Sequence, residues 1–316
     1  MKRMAAMMLA IAFFLCGCGT EQTETETEDR TICVVLKAMD SVHWMSVENG
    51  LKQAANDYGV SVNILYPRSE SEAQAQRVMI EDAIASRPDA IAVAPCDAGE
   101  MEILKQAEQN DILTFYIDSG SDRYRCPYIG SDNAKIGELA AKELAEHIDT
   151  GEIAVITGSL LQSTHKERVR GFENYIRAHT DLEVCAIKEN PNAGDIESIQ
   201  SMQDILKEYP NVKGVFCSSA MMVLGAMQER NNQQRSDILL VGVDTQSDAL
   251  LAVDQGEILA MIGQDGYQIG YQTIKTIVQA LDGQETASAV YVDNNVITQD
   301  NVGEYLSDYE SREELD

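Results

Sequence analysis

Short apolar runs alternate with longer segments of helical period from Thr31 almost to the end of the chain. The apolar runs fall at 32–36, 60–65, 90–94 and 112–117, and then again at 153–157, 182–187, 214–217, 238–243 and 259–262. Between them, 44–58, 72–85, 134–148, 166–178 and 196–208 read as helices. Continuous apolar runs separated by helices predict βα units with buried parallel strands. Gly59 stands where the first helix needs a left-handed cap, and Pro210 closes the fifth.

The series occurs twice. It predicts an α/β fold of two doubly wound parallel-sheet lobes with a ligand cleft between them. A sheet of this kind binds ligands at the carboxyl ends of its strands, so the residues just after each strand are the first candidates for a site.

Ahead of the first strand, Lys2 and Arg3 precede an uncharged apolar stretch at 4–15. That length suits a signal-peptide core and is too short for a spanning helix. The stretch ends Leu15-Cys16-Gly17-Cys18, which resembles the bacterial lipobox; the small Gly17 makes Cys18 the expected lipid-attachment residue. Residues 18–30, with their Glu-Thr repeat, have nothing to bury and read as an acidic tether. The chain is therefore expected outside the cytoplasm, held to the cell membrane by N-terminal lipidation after removal of 1–17.

Lys plus Arg number 24 against 52 Asp plus Glu, a formal charge of −28. That field argues against a nucleic-acid partner and is easier to reconcile with a neutral or cationic ligand. Beyond the first 18 residues, Cys33, Cys96, Cys126, Cys185 and Cys217 show no metal-ligand spacing and no disulfide framework. The histidines at 43, 147, 165 and 179 form no HExxH, and neither a P-loop nor a GxSxG elbow is present. No enzyme, cofactor or metal is expected.

Ile129-Gly130-Ser131-Asp132-Asn133, followed by Gly137-Glu138-Leu139-Ala140-Ala141, resembles the crossover segment of the type I periplasmic binding proteins, the ribose-binding-protein and LacI-like group. The stretch 74–95, Gly171-Phe172, Leu240-Val241-Gly242-Val243-Asp244 and Gly263-Gln264 fit the same pattern in the same order. The resemblance covers about 31–306. It implies an N-terminal lobe of 31–132 plus 265–292 and a C-terminal lobe of 133–264 plus 293–306, joined by a multi-strand hinge, with 307–316 left as an acidic tail.

The resemblance also implies roles for particular residues. Asp118 and Asp244, each ending an apolar strand, fall where the family's carboxylates accept sugar hydroxyls; two oxygens let a carboxylate accept two such bonds. Gln264 matches a hinge-side glutamine that both donates and accepts. His43 and Trp44 fall where aromatic rings stack on a sugar. Lys166 falls on the column of a ligand-binding arginine, with Arg168 on a neighbouring one. Ser41 and Ser219 stand at asparagine columns and retain one hydroxyl each, whereas Ala94 and Ser119 depart from an asparagine and an arginine. Ribose itself is therefore not expected, and another sugar, a cyclitol or a different polar molecule fits as well. The implied partner is an ABC permease, or alternatively a membrane sensor, met by a monomeric binding protein.

Overall fold

The computed structural model describes residues 30–313; the expected signal segment, Cys18 and nearly all of the tether lie outside the described residues. Two six-stranded sheets carry the fold. The first half runs β1 (Thr31–Val35), α1 (Val42–Tyr58), β2 (Ser61–Leu65), α2 (Ala73–Ala85), β3 (Ala90–Val93), a 3-10 turn (Ala98–Ile103), α3 (Leu104–Glu108), β4 (Leu113–Ile117) and β5 (Tyr128–Ser131). The second runs α4 (Asn133–His147), β6 (Thr150–Thr157), α5 (Ser163–His179), β7 (Asp181–Glu189), α6 (Asp195–Glu208), β8 (Gly214–Cys217), α7 (Ala220–Asn232), β9 (Leu239–Val243), α8 (Ser247–Asp254) and β10 (Ala260–Gln264). The chain then returns through α9 (Gly266–Leu281) and β11 (Ala289–Val292), and finishes with β12 (Asn294–Ile297) and α10 (Val302–Glu313).

The first sheet has the order β2-β1-β3-β4-β5-β11 and the second β7-β6-β8-β9-β10-β12, so the same winding is built twice. Every pair in the first sheet is parallel. In the second only β10–β12 is antiparallel. The exception follows from the connection: a single residue, Asp293, separates β11 from β12, and without a crossover helix the chain enters the second sheet running the opposite way. Single aspartates also mark the other two passages between halves, Asp132 before α4 and Asp265 before α9. Both accept a backbone N–H two residues into their helix, from Lys135 at 3.0 Å and from Gln268 at 2.9 Å. Asn294 Nδ2 donates to Ser131 Oγ at 3.0 Å, tying two of these passages together.

Central strands are buried on both faces, as β3 and β8 show along their whole length, because helices cover each sheet on two sides. The edge strand β2 alternates between exposed and half-buried positions. Helix α5 is seated by Phe172, which stacks on Phe216 of β8 at a centroid distance of 4.9 Å. It approaches α4 so closely that a Cβ at Gly137 would overlap the Arg168 carbonyl oxygen, and one at Gly171 would overlap that of Ala134. Helix α10 begins within the expected C-terminal lobe, where Tyr305 and Leu306 pack against the second sheet's core, and continues through Glu313 into the stretch expected as an acidic tail. Among the described residues no helix is long and apolar enough to cross a membrane.

Candidate functional site

In each sheet the winding reverses beside its first strand in chain order, between β1 and β3 and between β6 and β8, and residues beyond the strand ends converge on one cavity of about 290 Å³. Buried Gln76 holds the β1 and β3 ends in register: its Nε2 donates to the carbonyls of Leu36 at 2.9 Å and Ala94 at 2.7 Å, and its Oε1 accepts from Cys96 N at 2.8 Å. Lys37, the second residue after β1, is thereby directed across to the other half. Its Nζ donates to Gln162 Oε1 at 3.0 Å and Thr164 Oγ1 at 3.2 Å, and lies 3.7 Å from Asp118 Oδ2. Gly120 N to Ser163 Oγ at 2.9 Å and Ala98 N to Leu161 O at 3.2 Å bridge the same loops.

Asp118 directly follows β4 with a φ of 62°, and Asp244 directly follows β9 with a φ of 81°. A non-glycine residue in this left-handed region is uncommon, and such strain concentrates at functional positions. Both backbones are fixed by the neighbouring strand: Asp118 N donates to Ile129 O at 2.8 Å and Asp244 N to Ile262 O at 3.0 Å. The Tyr128 hydroxyl also donates to the Asp118 carbonyl at 2.7 Å.

Around Asp118 the electrostatics are tightly set. Burial alone would lift its pKa, but the His43 hydrogen bond and the charges of Lys37, His43 and Arg168 outweigh burial and hold the carboxyl at about 2. As an ionised carboxylate it can only accept, so His43 Nε2–H is the donor in their 2.9 Å contact. For His43, burial opposes the charged form, yet the Asp118 hydrogen bond and the nearby carboxylates raise its pKa overall. His165 is the opposite case: burial, then Arg168 and Lys37, push it well below the usual range, so it is neutral. Its Nδ1 lies 2.8 Å from Ser218 Oγ, whose own proton is directed at Thr157 Oγ1.

The cavity brings together Ser41, His43, Trp44, Asp118, Arg168, Ser219, Asp244 and Gln264 from the sequence-derived set. It does not include Lys166, which is exposed and lines a separate cavity. The reason is helix phase: two residues on an α-helix turn the side chain by about 200°, so Arg168 faces inward while Lys166 faces out. Arg168 is buried, donating from Nε to Asn133 Oδ1 at 2.9 Å and from Nη1 to Ser218 O at 2.8 Å. Gln264 Nε2 donates to Asp244 Oδ1 at 2.5 Å. His43 is turned edge-on to Trp44 and engaged with Asp118 instead of being presented as a free stacking ring. Trp44 is only 3% exposed, packs with the first half's core, and donates from Nε1 to Glu70 Oε1 at 3.0 Å. Ala94 and Ser119 are buried and stand outside the cavity lining.

Sequence reasoning missed Lys37, Glu70, Thr164 and His165. For Lys37 the signal was present, since it follows the first apolar run, 32–36, as directly as Asp118 follows the fourth, 112–117. Glu70, Thr164 and His165 sit in loops or at a helix start and reach the site only through tertiary packing. Among the described residues no group of three or more His, Cys, Asp or Glu could hold a metal ion.

Comparison with known proteins places this geometry. The chain is 25% identical over 301 residues to the ribose import binding protein of Escherichia coli K12, covering 94% of this chain and 98% of that one. A carbohydrate transporter solute-binding protein from Agrobacterium radiobacter, solved with D-arabinose, superposes with a TM-score of 0.82 at 26% identity, covering 89% and 99% of the two chains. A glucose-galactose binding protein from Geobacillus stearothermophilus gives a TM-score of 0.83 at 26% identity, covering 87% and 99%. The family model described as the periplasmic binding protein domain matches residues 32–285, and with most of its length accounted for in this way, the chain belongs to the periplasmic binding protein family.

Proposed function

We propose that this chain is an extracytoplasmic solute-binding protein that captures a sugar-like polyol between its two halves and delivers it to an ABC permease. The observation that carries the reading is the pairing of Asp118 and Asp244: equivalent strand-end carboxylates from the two sheets open on one cavity, with Gln264 beside them. Carboxylates accept hydroxyl protons in strong, directed bonds, and acceptors supplied from both sides reward only the closed arrangement. The relatives named for ribose import and solved with arabinose are of the same kind. The hinge is assigned to the three single-residue passages at Asp132, Asp265 and Asp293, where little backbone must turn for the halves to part. The lobes are accordingly 31–132 plus 265–292 and 133–264 plus 293–306. Binding and release require no catalysis.

The anchor is part of the proposal: cleavage after Gly17 and acylation of Cys18 hold the protein, as a monomer, at the membrane surface. Incorporation of a labelled fatty acid, lost in Cys18→Ser, is the expected result, and unlabelled protein would remove the anchor from the reading. For the ligand, the purified chain is titrated with neutral and substituted sugars and cyclitols while the emission of Trp44, the single tryptophan, is followed. A saturable micromolar response, abolished in both Asp118→Ala and Asp244→Ala, is expected. A folded protein with neither an emission change nor a thermal shift across the panel would overturn the polyol reading.

A further inference from the structure

The charges lining the cavity are unevenly placed. Both fixed cations stand at the Asp118 end: Lys37 Nζ is 3.7 Å from Asp118 Oδ2, and the Arg168 charge also bears on that carboxyl, as does the His43 hydrogen bond. Asp40 and Glu70 line the same cavity, Glu70 beside Trp44, and among the described residues no cation pairs with either; Lys37 Nζ stands 5.9 Å from the Trp44 ring centroid but is turned to Asp118, Gln162 and Thr164. They lie near enough to repel, for the Asp40 carboxyl is lifted above its ordinary value by partial burial and then by the charge of Glu70, against a smaller pull from its own backbone N–H.

Hydrogen-bonding capacity points the same way. Gln264 is 7% exposed, and its Oε1 has no hydrogen-bond partner among the described residues while its amide nitrogen is taken by Asp244. A buried acceptor left unmatched is costly, so this oxygen calls for a donor from the ligand. Asp244 keeps its second oxygen for the same use. The lining is thus rich in acceptors, and two of its carboxylates, Asp40 and Glu70, have no ion-pair partner among the described residues.

Resting on the polyol-binding reading above, we propose that the ligand is a polyol ring bearing a protonated amine, an amino sugar or aminocyclitol, with its ammonium held between Asp40 and Glu70 and its hydroxyls on Asp118, Asp244 and Gln264. An ammonium has three donors and no acceptor, which suits two carboxylates and would be wasted at the Asp118 end, where cations already stand.

The full chain, purified in detergent, is titrated calorimetrically with D-glucosamine, D-galactosamine and a monoamino-inositol, each beside its neutral parent. D-Glucosamine is also compared with its N-acetyl form, which keeps the ring and removes the charge. At least one amine is expected to bind about tenfold or more tighter than its parent, a ratio equivalent to about 1.4 kcal/mol, and the preference should shrink with added salt and with N-acetylation. Whether the sugars or the aminocyclitol respond separates the two sources. Glu70→Gln and Asp40→Asn should each abolish the preference, read as the ratio of amine to parent affinity within each variant; Asp40 is exposed, so its substitution spares the fold even if loss of the Trp44 partner perturbs Glu70→Gln. Parents that bind as well as their amines, or a preference that survives both substitutions, would overturn the inference and leave the polyol reading intact. A folded chain that binds none of these compounds would overturn both.

Discussion

Asp118 and Asp244 occupy equivalent places in the two halves, each after the fourth strand of its sheet in chain order and each held at a left-handed backbone angle. Their surroundings differ. Asp118 is enclosed by His43 and Lys37, is 4% exposed and keeps its charge down to about pH 2. Asp244 is half-buried; among the described residues its side-chain hydrogen bond is with the neutral amide of Gln264, and its charge reaches His43 without direct contact. One carboxylate serves as the keystone of a charged network that also ties the halves together through Lys37. The other is left with capacity to spare for a ligand. Two sites that the sequence presents as twins both open on the cavity, but Asp118 also carries a structural network, and that added load is set by what tertiary packing brings alongside each.

The strongest way to break this contrast is to neutralise each carboxylate with its isostere. Asn tolerates the left-handed angle at both positions, so backbone strain is held constant. Asp118→Asn leaves Lys37, which is 2% exposed, without its counter-charge and should lower stability by about 3 kcal/mol or more, as breaking a buried pair does. Asp244→Asn should cost well under about 1 kcal/mol, the scale of a single neutral hydrogen bond, yet still weaken ligand binding. Urea denaturation of both variants checks the difference; equal losses would mean that the two halves are not divided in this way.

Titration sharpens the same point. The Asp118 carboxyl sits at about 2 in the folded chain against an ordinary value of 3.8. A depressed value means stability that is present above the unfolded pKa and lost as pH falls through the folded one. About 2 kcal/mol should therefore disappear between pH 4 and pH 2, and Asp118→Asn should remove that slope. His43, raised by the same contact, has the opposite sign: its contribution is complete below its unfolded value and is lost as pH rises through the folded one. Melting temperature followed across pH should fall at both ends in the native chain and lose both components in Asp118→Asn.

The helix pairs offer a milder comparison. A Cβ at Gly137 would overlap the Arg168 carbonyl, and one at Gly270 would overlap that of Val47. Gly137→Ala and Gly270→Ala should each destabilise by roughly 1–3 kcal/mol through overpacking. Only the first pushes a cavity-lining residue, so only Gly137→Ala should also weaken binding, measured on protein shown to be folded at the temperature used. Equal binding in the two variants would show that Arg168 is not positioned by the α4–α5 approach.

How much of this was legible depends on where each residue's information resides. Strands such as β1, β3 and β8 are buried on both faces and announce themselves as unbroken apolar runs. By contrast, β5 and β12, Tyr128–Ser131 and Asn294–Ile297, are four residues long and half polar, so their pairing is visible only once the sheet exists. Asp118 and Asp244 were found because a strand end is a position that sequence can locate. The His43–Asp118 and Lys37–Thr164 contacts span 75 and 127 residues, and no local pattern encodes them. Lys166 was misplaced because matching a family column fixes position along a helix but not, within two residues, its phase.

The smallest expected effect separates cap from ligand contact at Ser41 and Ser219. Each hydroxyl oxygen accepts a helix N–H at 3.4 Å, from Trp44 and Met222 respectively, and each lines the cavity. Accepting leaves the hydroxyl proton available to the ligand, so the two roles are compatible. Ser41→Ala and Ser219→Ala should each lower stability by about 1 kcal/mol, the usual worth of a cap, and alanine therefore confounds the two roles. Asparagine does not: it caps as well as serine but projects an amide further into the cavity. Ser41→Asn and Ser219→Asn should keep the melting temperature of the native chain while shifting the preference among polyols. If both leave ligand preference unchanged, these serines serve the helices alone, and recognition rests on the carboxylates and Gln264.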